Sequence, residues 1–261
     1  MIVAVDARHL AGGRGVAHYT AALLQALATA HPEDEYRAFV PRLREGVRPL
    51  PEVDAVRVVG HGLPSRAIFG AAAVFGRPRV DRLAGDGDVV WIPAPAPVAV
   101  TPGVPYVLTV HDLSWVERPQ DFTTYERVWH RLGRIGRLAR NAAVVVCDSE
   151  ATRDAALVAW DLDPGRVEVV YAGVTAPEDG RAPALPASYF LAVGALEPRK
   201  APDVLARAQA IARREGLRAE LVFAGAGRLA DAVRGDGVHV LGRVEALGPL
   251  YAVAVTQVLR R

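Results

Sequence analysis

The 261-residue sequence has one lysine, one cysteine and one methionine. A single cysteine, Cys147, rules out an internal disulfide and fits a reducing cytoplasm. No run approaches the ~18 consecutive apolar residues of a spanning helix. The opening stretch Met1–Asp6 has neither a basic segment nor a cleavage site, so export is not expected. The formal net charge is only +2, which gives no electrostatic case for nucleic acid as a partner. Charged residues make up 23%, near the ~25% of ordinary globular proteins, so wholesale disorder is not expected either. The scarcity of lysine is the most telling. Of 31 basic residues, Lys200 alone is not arginine, a bias typical of GC-rich genomes. A lysine that survives such drift marks a position worth locating.

The length suits one large domain or two of ordinary size. Short β-branched runs alternate with helical patterns, the signature of an α/β fold. Strands are expected at Ile2–Asp6, Glu35–Val40, Ala55–Val59, Asp88–Ile92, Pro105–Val110, Ala142–Cys147 and Arg166–Tyr171. Several are apolar throughout, as in parallel strands covered on both faces. Helices are expected at Val16–Ala30, Ile68–Leu83, Thr124–Arg140 and Ser149–Trp160, the last with Ser149 at its N-cap. Gly173, Pro177, Gly180, Pro183 and Pro186 mark a linker. This divides the chain into a first domain (1–172), a linker (173–187) and a second domain (188–261). The second has strands at Tyr189–Val193, Glu220–Ala224 and Val238–Leu241, with helices at Ala201–Glu215, Arg228–Arg234 and Val244–Val255. Three strands fall short of the six of a complete dinucleotide-type fold, and the chain ends where another is due. The second domain is therefore expected to be incomplete.

Four motifs carry chemistry. Gly12-Gly13-Arg14-Gly15 follows the first strand, where glycines let a turn approach a ligand and the next helix offers N–H groups to an anion. A plain flexible turn is the alternative, and no P-loop lysine follows. His111-Asp112 ends an apolar strand, where reactive side chains of doubly wound sheets belong. A structural histidine bonded to a neighbouring loop is the alternative there. Gly194-Ala195-Leu196-Glu197-Pro198-Arg199-Lys200 opens a helix with two cations. Cations normally avoid a helix's positive end, so an anion such as phosphate is expected between them. Gly225-Ala226-Gly227-Arg228-Leu229-Ala230 matches G-x-G-x-x-A and keeps an NAD(P)-binding enzyme as a remote alternative, although the next strand lacks the acidic ribose ligand. Asp86-Gly87-Asp88 and Asp161-Leu162-Asp163 fit a D-x-D metal motif by letter but read as turns, and no metal site is expected.

In this order the motifs resemble the GT-B glycosyltransferases of glycosyltransferase family 4, in particular bacterial mannosyltransferase-like members of polysaccharide biosynthesis. The matching pieces are Gly13–Tyr19 (like G-x-G-[IV]-G-R-Y), His111-Asp112-Leu113 with Pro119 and Phe122, and Ser149–Thr152. Val169–Val174, Gly194–Lys200 (like G-T-x-E-P-R-K-N), Leu221–Gly225, Val240–Val244 and Leu250–Ala252 continue the register. The resemblance implies two Rossmann-like parallel-sheet domains, the second incomplete, and a retaining, metal-independent transfer of a hexosyl group, with mannosyl favoured. The donor would be an NDP-sugar such as GDP-mannose or a UDP-hexose, used as substrate, with no cofactor. The acceptor would be a glycan or a lipid-linked sugar. Arg199, Lys200 and Gly15 would hold the donor diphosphate, and His111 would contact the transferred sugar. Gly194, Glu197, Gly225, Gly242 and Val244 would border the nucleotide and sugar. Gly13, His18, Tyr19 and Asp112 would face the acceptor.

Departures from the family pattern are Ala17 and His18 for Gly and Arg, Ala172 for Asn, and Ala201 where Asn is common. The family's E-x7-E segment is absent, so weak or no turnover is expected. A catalytically inactive remnant serving as a binding module for a glycan or membrane partner is the competing class. Arginines along Thr124–Arg140 and around Arg66–Arg82, each beside an apolar stripe, leave peripheral contact with the inner membrane face open; a core-facing stripe is the commoner outcome.

Overall fold

The computed structural model describes residues 1–12, 15–41, 56–62, 64–174, 180, 183–244, 246–254 and 256–257. Gly13, Ala55, part of the linker and residues 258–261 lie outside the described residues. Two compact units emerge: Met1–Pro119 with Thr123–Ala172, and Gln120–Phe122 with Gly173–Arg261.

The first unit holds a seven-stranded sheet of β1 (Ile2–Asp6), β2 (Glu35–Pro41), β3 (Val56–His61), β4 (Val89–Ile92), β5 (Tyr106–Val110), β6 (Val144–Cys147) and β7 (Val167–Val169). All neighbours are parallel, in the order β3-β2-β1-β4-β5-β6-β7. Successive side chains of a strand alternate faces, so a sheet covered on both sides needs apolar residues at every position. Ala4, Phe39, Val90 and Ile92 accordingly enter one core, and Val5, Ala38, Val40 and Trp91 the other. Of the flanking helices, α1 spans Gly15–Ala30, α2 Ser65–Phe75, α3 Val80–Leu83, α4 Ser114–Glu117, α5 Thr124–Leu132, α6 Ile135–Asn141 and α7 Glu150–Trp160. As expected, Ser149 caps α7, accepting a hydrogen bond from the Thr152 amide at 3.2 Å.

Two of the expected helices are broken. The one foreseen at 68–83 divides into α2 and α3 because Gly76 takes a left-handed conformation (φ 66°). The one foreseen at 124–140 divides at Gly133-Arg134, with Arg134 at φ 45°. The apolar stripe divides with it. Ile135 is buried in the core, whereas Val128 and Leu132 on α5 are 50% and 44% exposed. The N-terminus of α5 has a reciprocal capping box between Thr123 and Glu126.

The second unit has a four-stranded parallel sheet in the order β10-β9-β8-β11. These strands are β8 (Tyr189–Val193), β9 (Glu220–Ala224), β10 (Val238–Gly242) and β11 (Thr256–Gln257). The two-residue β11 beside β8 adds a strand to the three expected. Helix α8 (Pro202–Arg214) covers one face with Leu196, Leu221, Phe223 and Val233. Helix α9 (Gly248–Val253) covers the other with Tyr189, Leu191, Val222 and Leu250. The buried Tyr189 hydroxyl donates to the Leu250 carbonyl at 2.7 Å, fixing α9 on β8. Residues 228–234, expected to be helical, form turns instead, and the helix expected at 244–255 is confined to α9.

Candidate functional site

In the first sheet the strand order reverses beside β1, which has β2 on one side and β4 on the other. Open α/β sheets bind ligands beyond the carboxyl ends of the strands at such a point. Here the chain leaves β1 through Asp6, Ala7, Arg8 and His9. Arg8 grips Asp6 with two bonds, Nε to Oδ1 at 2.8 Å and Nη2 to Oδ2 at 2.5 Å, and both side chains are buried. Arg8 Nη1 donates to the Pro97 carbonyl at 3.2 Å, and the guanidinium lies 3.0 Å from the centre of the Phe69 ring. Burial pulls the Arg8 pKa down, against the pull of Asp6.

His111, at the carboxyl end of β5, meets the segment that follows β4. Its Nε2 is 2.9 Å from the Pro93 carbonyl, and its Nδ1 is 3.4 Å from Asp148 Oδ2. A carbonyl only accepts, so Nε2 carries the hydrogen. The contact with Asp148 is an ion pair only in the protonated ring. Tyr19 packs its ring edge-on against His111, centroids 4.8 Å apart, and Thr152 Oγ1 donates to the His111 carbonyl at 3.1 Å. Nε2 and the main-chain oxygen of His111 therefore have protein partners, and Nδ1 has one in Asp148 only when the ring carries both protons. The bonds at Nε2 and the carbonyl fit the structural alternative for this histidine and leave a sugar contact at Nδ1 or the ring's edge compatible with it.

The other residues expected on the acceptor side separate. Tyr19 lies beside His111, and exposed His18 sits on α1. Asp112 accepts from the Ser114 amide at 3.0 Å and the Ser114 hydroxyl at 2.6 Å, a local turn that opens α4. Gly15 is the exposed first residue of α1, and a Cβ added there would meet nothing within 4 Å. Asp6, Arg8, His9 and Asp148 were not foreseen. Their one sequence signal is position, since each lies at or just past the carboxyl end of β1 or β6.

In the second unit, β8 ends at Gly194, whose φ of 143° favours glycine. From there the chain runs across the turn after β9. The Gly194 amide donates to the Ala224 carbonyl at 3.0 Å, Leu196 N to Ala226 O at 3.1 Å, and Leu229 N to Leu196 O at 2.9 Å. Gly225 also bridges to Gly242 at the end of β10. Three of the expected donor glycines thus converge at the carboxyl edge of this sheet. A Cβ on Gly225 would run into the Gly194 carbonyl, and one on Gly227 into the Leu196 carbonyl. This backbone-on-backbone packing accounts for the G-x-G pattern without a dinucleotide. The helix that such a fingerprint requires at residues 228–234 is absent as well.

Glu197 is held within the second unit. Its carboxylate accepts from Arg228 Nε at 2.6 Å and from the Arg228 amide at 3.3 Å. Arg199 and Lys200 lie exposed on a single 3-10 turn, Pro198–Lys200, which Ala201 joins to α8 in a left-handed conformation (φ 46°). A cavity of about 320 Å³ opens beside this turn. Gly194, Leu196, Pro202, Leu205 and Phe223 line it, and Lys200 is the one charged residue among the described residues that line it. Val244 is half-buried against the α9-side core, a packing position.

Asp86, Asp88 and Asp163 of the two D-x-D stretches are engaged within the protein. Asp88 accepts from the Ile2 amide at 2.7 Å, Asp163 from the Gly165 amide at 3.0 Å, and Asp86 pairs with Arg82. Among the described residues, His31, Glu33 and Asp34 lie close enough together to share an ion. Asp34 there already pairs with the Met1 ammonium at 2.7 Å. No helix among the described residues is long and apolar enough to cross a membrane. Burial pushes the Cys147 thiol up to about 11, so it is no nucleophile at neutral pH.

Two parallel α/β units of this kind define a GT-B glycosyltransferase fold. The chain belongs to Glycosyltransferase Family 4, whose sequence model matches residues 13–176. Among solved structures it is similar to HepE from Anabaena in complex with UDP and glucose, at 16% identity and a TM-score of 0.55, over 98% of this chain and 73% of that one. It is also similar to the apo lipopolysaccharide outer core galactosyltransferase WaaB, at 14% identity and a TM-score of 0.53, over 97% of this chain and 70% of that one. A UGT transferase from Siraitia grosvenorii in complex with UDP matches at 13% identity and a TM-score of 0.50, over 98% and 76%. The chain spans only 33% of the S. aureus TarM structure it also matches. No curated protein sequence matches it.

Proposed function

We propose that this chain carries donor and acceptor machinery for moving a hexosyl group, with mannosyl favoured, from an NDP-sugar to a glycan or lipid-linked acceptor, with retention and without a metal. One observation carries the donor half of this reading. The only lysine in the sequence stands beside Arg199 on the turn leading into α8 and lines one cavity together with Gly194. These two cations would offset the charge of a diphosphate, and a departing diphosphate gains charge as the reaction proceeds. In a retaining transfer the bond from the sugar's C1 to the phosphate oxygen breaks, its electron pair leaving with the diphosphate. The acceptor hydroxyl bonds to C1 on the same face, and its proton goes to the departing phosphate oxygen.

On the first unit, Gly15 suits this reading because none of the described residues demands a glycine there. Peripheral contact with an anionic membrane is supported by exposed Tyr125, Val128 and Leu132 on α5, and by Arg66, which lies 5.2 Å from the centre of the Tyr125 ring. Calorimetry with GDP-mannose and UDP-glucose tests the donor assignment. Lys200→Ala is expected to weaken whichever nucleotide-sugar binds by at least about tenfold, the value of one charge-assisted hydrogen bond. Unchanged affinity in that variant would refute it.

A further inference from the structure

In the run Gly225–Ala230 the two glycines answer to backbone packing, but Arg228 has a task of its own. Gly227 carries no side chain, so the chain closes on the Leu196 carbonyl and brings Arg228 beside Glu197. Arg228 Nε donates to Glu197 Oε2 at 2.6 Å and the Arg228 amide to Oε1 at 3.3 Å, which engages both carboxylate oxygens. The same guanidinium donates through Nη2 to the Asp121 carbonyl at 3.2 Å, within the piece 120–122 that belongs with the second unit. Glu197 opens the 3-10 turn that carries Arg199 and Lys200, and the Lys200 amide donates to the Glu197 carbonyl at 2.9 Å. A 3-10 turn rises about 2 Å per residue, so Glu197 and Lys200 start roughly 6 Å apart along it, inside a Debye length of ~8 Å. An anion drawn to the two cations therefore meets a carboxylate of its own sign on the same turn. Arg228 offsets that carboxylate, and without it the turn would present one positive charge fewer.

We infer that Arg228 is a positioning residue of the donor site: acting through Glu197, it keeps a carboxylate from opposing the diphosphate that Arg199 and Lys200 hold. The inference rests on the donor assignment above. Calorimetry on the full chain with UDP and GDP, at low and at high salt, tests it. Arg228→Gln should weaken whichever nucleotide binds about fivefold at low salt, the upper range for one partly exposed charge pair. The defect should shrink at high salt, because it is a charge effect near the surface. The double variant Glu197→Gln with Arg228→Gln should recover most of the lost affinity, since the carboxylate left unpaired in the single variant is then gone. A merely structural tether would leave the double variant as weak as the single one. That result, or a defect equal at both salt concentrations, overturns the inference. If Arg228→Gln fails to fold, Arg228→Lys decides the matter: it keeps the charge without the fork and should bind nearly as tightly as the parent, and a folded Lys variant that has lost binding overturns the inference. Lys200→Ala separates this outcome from the donor assignment. Weakened binding in Lys200→Ala beside an unaltered Arg228→Gln overturns the Arg228 inference alone. Unchanged binding in Lys200→Ala, or a parent that binds neither nucleotide, overturns the donor assignment and the role of Arg228 with it.

Discussion

The buried His9 ring gives the first unit a stability that depends on pH in a calculable way. Its pKa falls from an ordinary 6.5 to about 4, chiefly through burial, with Arg8 and His111 pushing the same way and Asp6 opposing. Between those values the unfolded chain takes up a proton that the folded ring refuses. The stabilisation is complete above pH ~6.5 and is lost progressively as the pH falls towards 4. Linkage puts the loss at about 2 kcal/mol between pH 7.5 and pH 5.0, with a limiting slope of about 1.4 kcal/mol per pH unit. Other histidines and the carboxylates titrate in the same range, so the measurement is a comparison of the parent with His9→Phe. Urea unfolding followed by tryptophan fluorescence suits it, because Trp91, Trp115, Trp129 and Trp160 all lie in the first unit. The parent should lose about 2 kcal/mol more than the variant over that interval. Parallel pH profiles for the two proteins would refute the assignment of a neutral, buried His9.

Two further substitutions test the second unit, with a third in the first unit as a control. Gly225→Ala, whose Cβ meets the Gly194 carbonyl, should cost at least about 2 kcal/mol and speed amide exchange across β8 and β9; Gly70→Ala, where a Cβ meets nothing, should be neutral or mildly stabilising. Equal effects at the two glycines would sink the packing account. Ala201→Asn should stabilise the start of α8 by about 0.5–1 kcal/mol, because Asn tolerates a positive φ better than Ala. Slower amide exchange over residues 198–206 would register the gain, and faster exchange would count against the strain at φ 46°.

How far the fold could be read in advance depended on whether the deciding contact was local. The strands of the first sheet were legible because residues such as Val90-Trp91-Ile92 are apolar on both faces, the demand a doubly covered parallel sheet makes. The division of the 124–140 helix was not legible. The spacing of Val128, Leu132, Ile135 and Leu138 runs unbroken through Gly133-Arg134, and only the tertiary core selects Ile135 and leaves Val128 exposed. The converging glycines were legible as a site, but the reason for two of them was not. Gly225 and Gly227 answer to carbonyls of Gly194 and Leu196 that no local motif displays. His9 gave no sequence signal beyond following the first strand, because the sheet's topology, and not chain proximity, brings it near His111.

The exposed Lys200 has a practical consequence. It is the only lysine in the sequence and therefore the only side-chain primary amine the chain presents. It projects from the 3-10 turn that leads into α8, along the wall of the apolar cavity. An acylating or reductive-methylating reagent will therefore place its side-chain label at one address, with no engineering of competing lysines. A ¹³C-methyl group there becomes an NMR beacon for that turn, and protection of the amine by added nucleotide can be read as a footprint of occupancy.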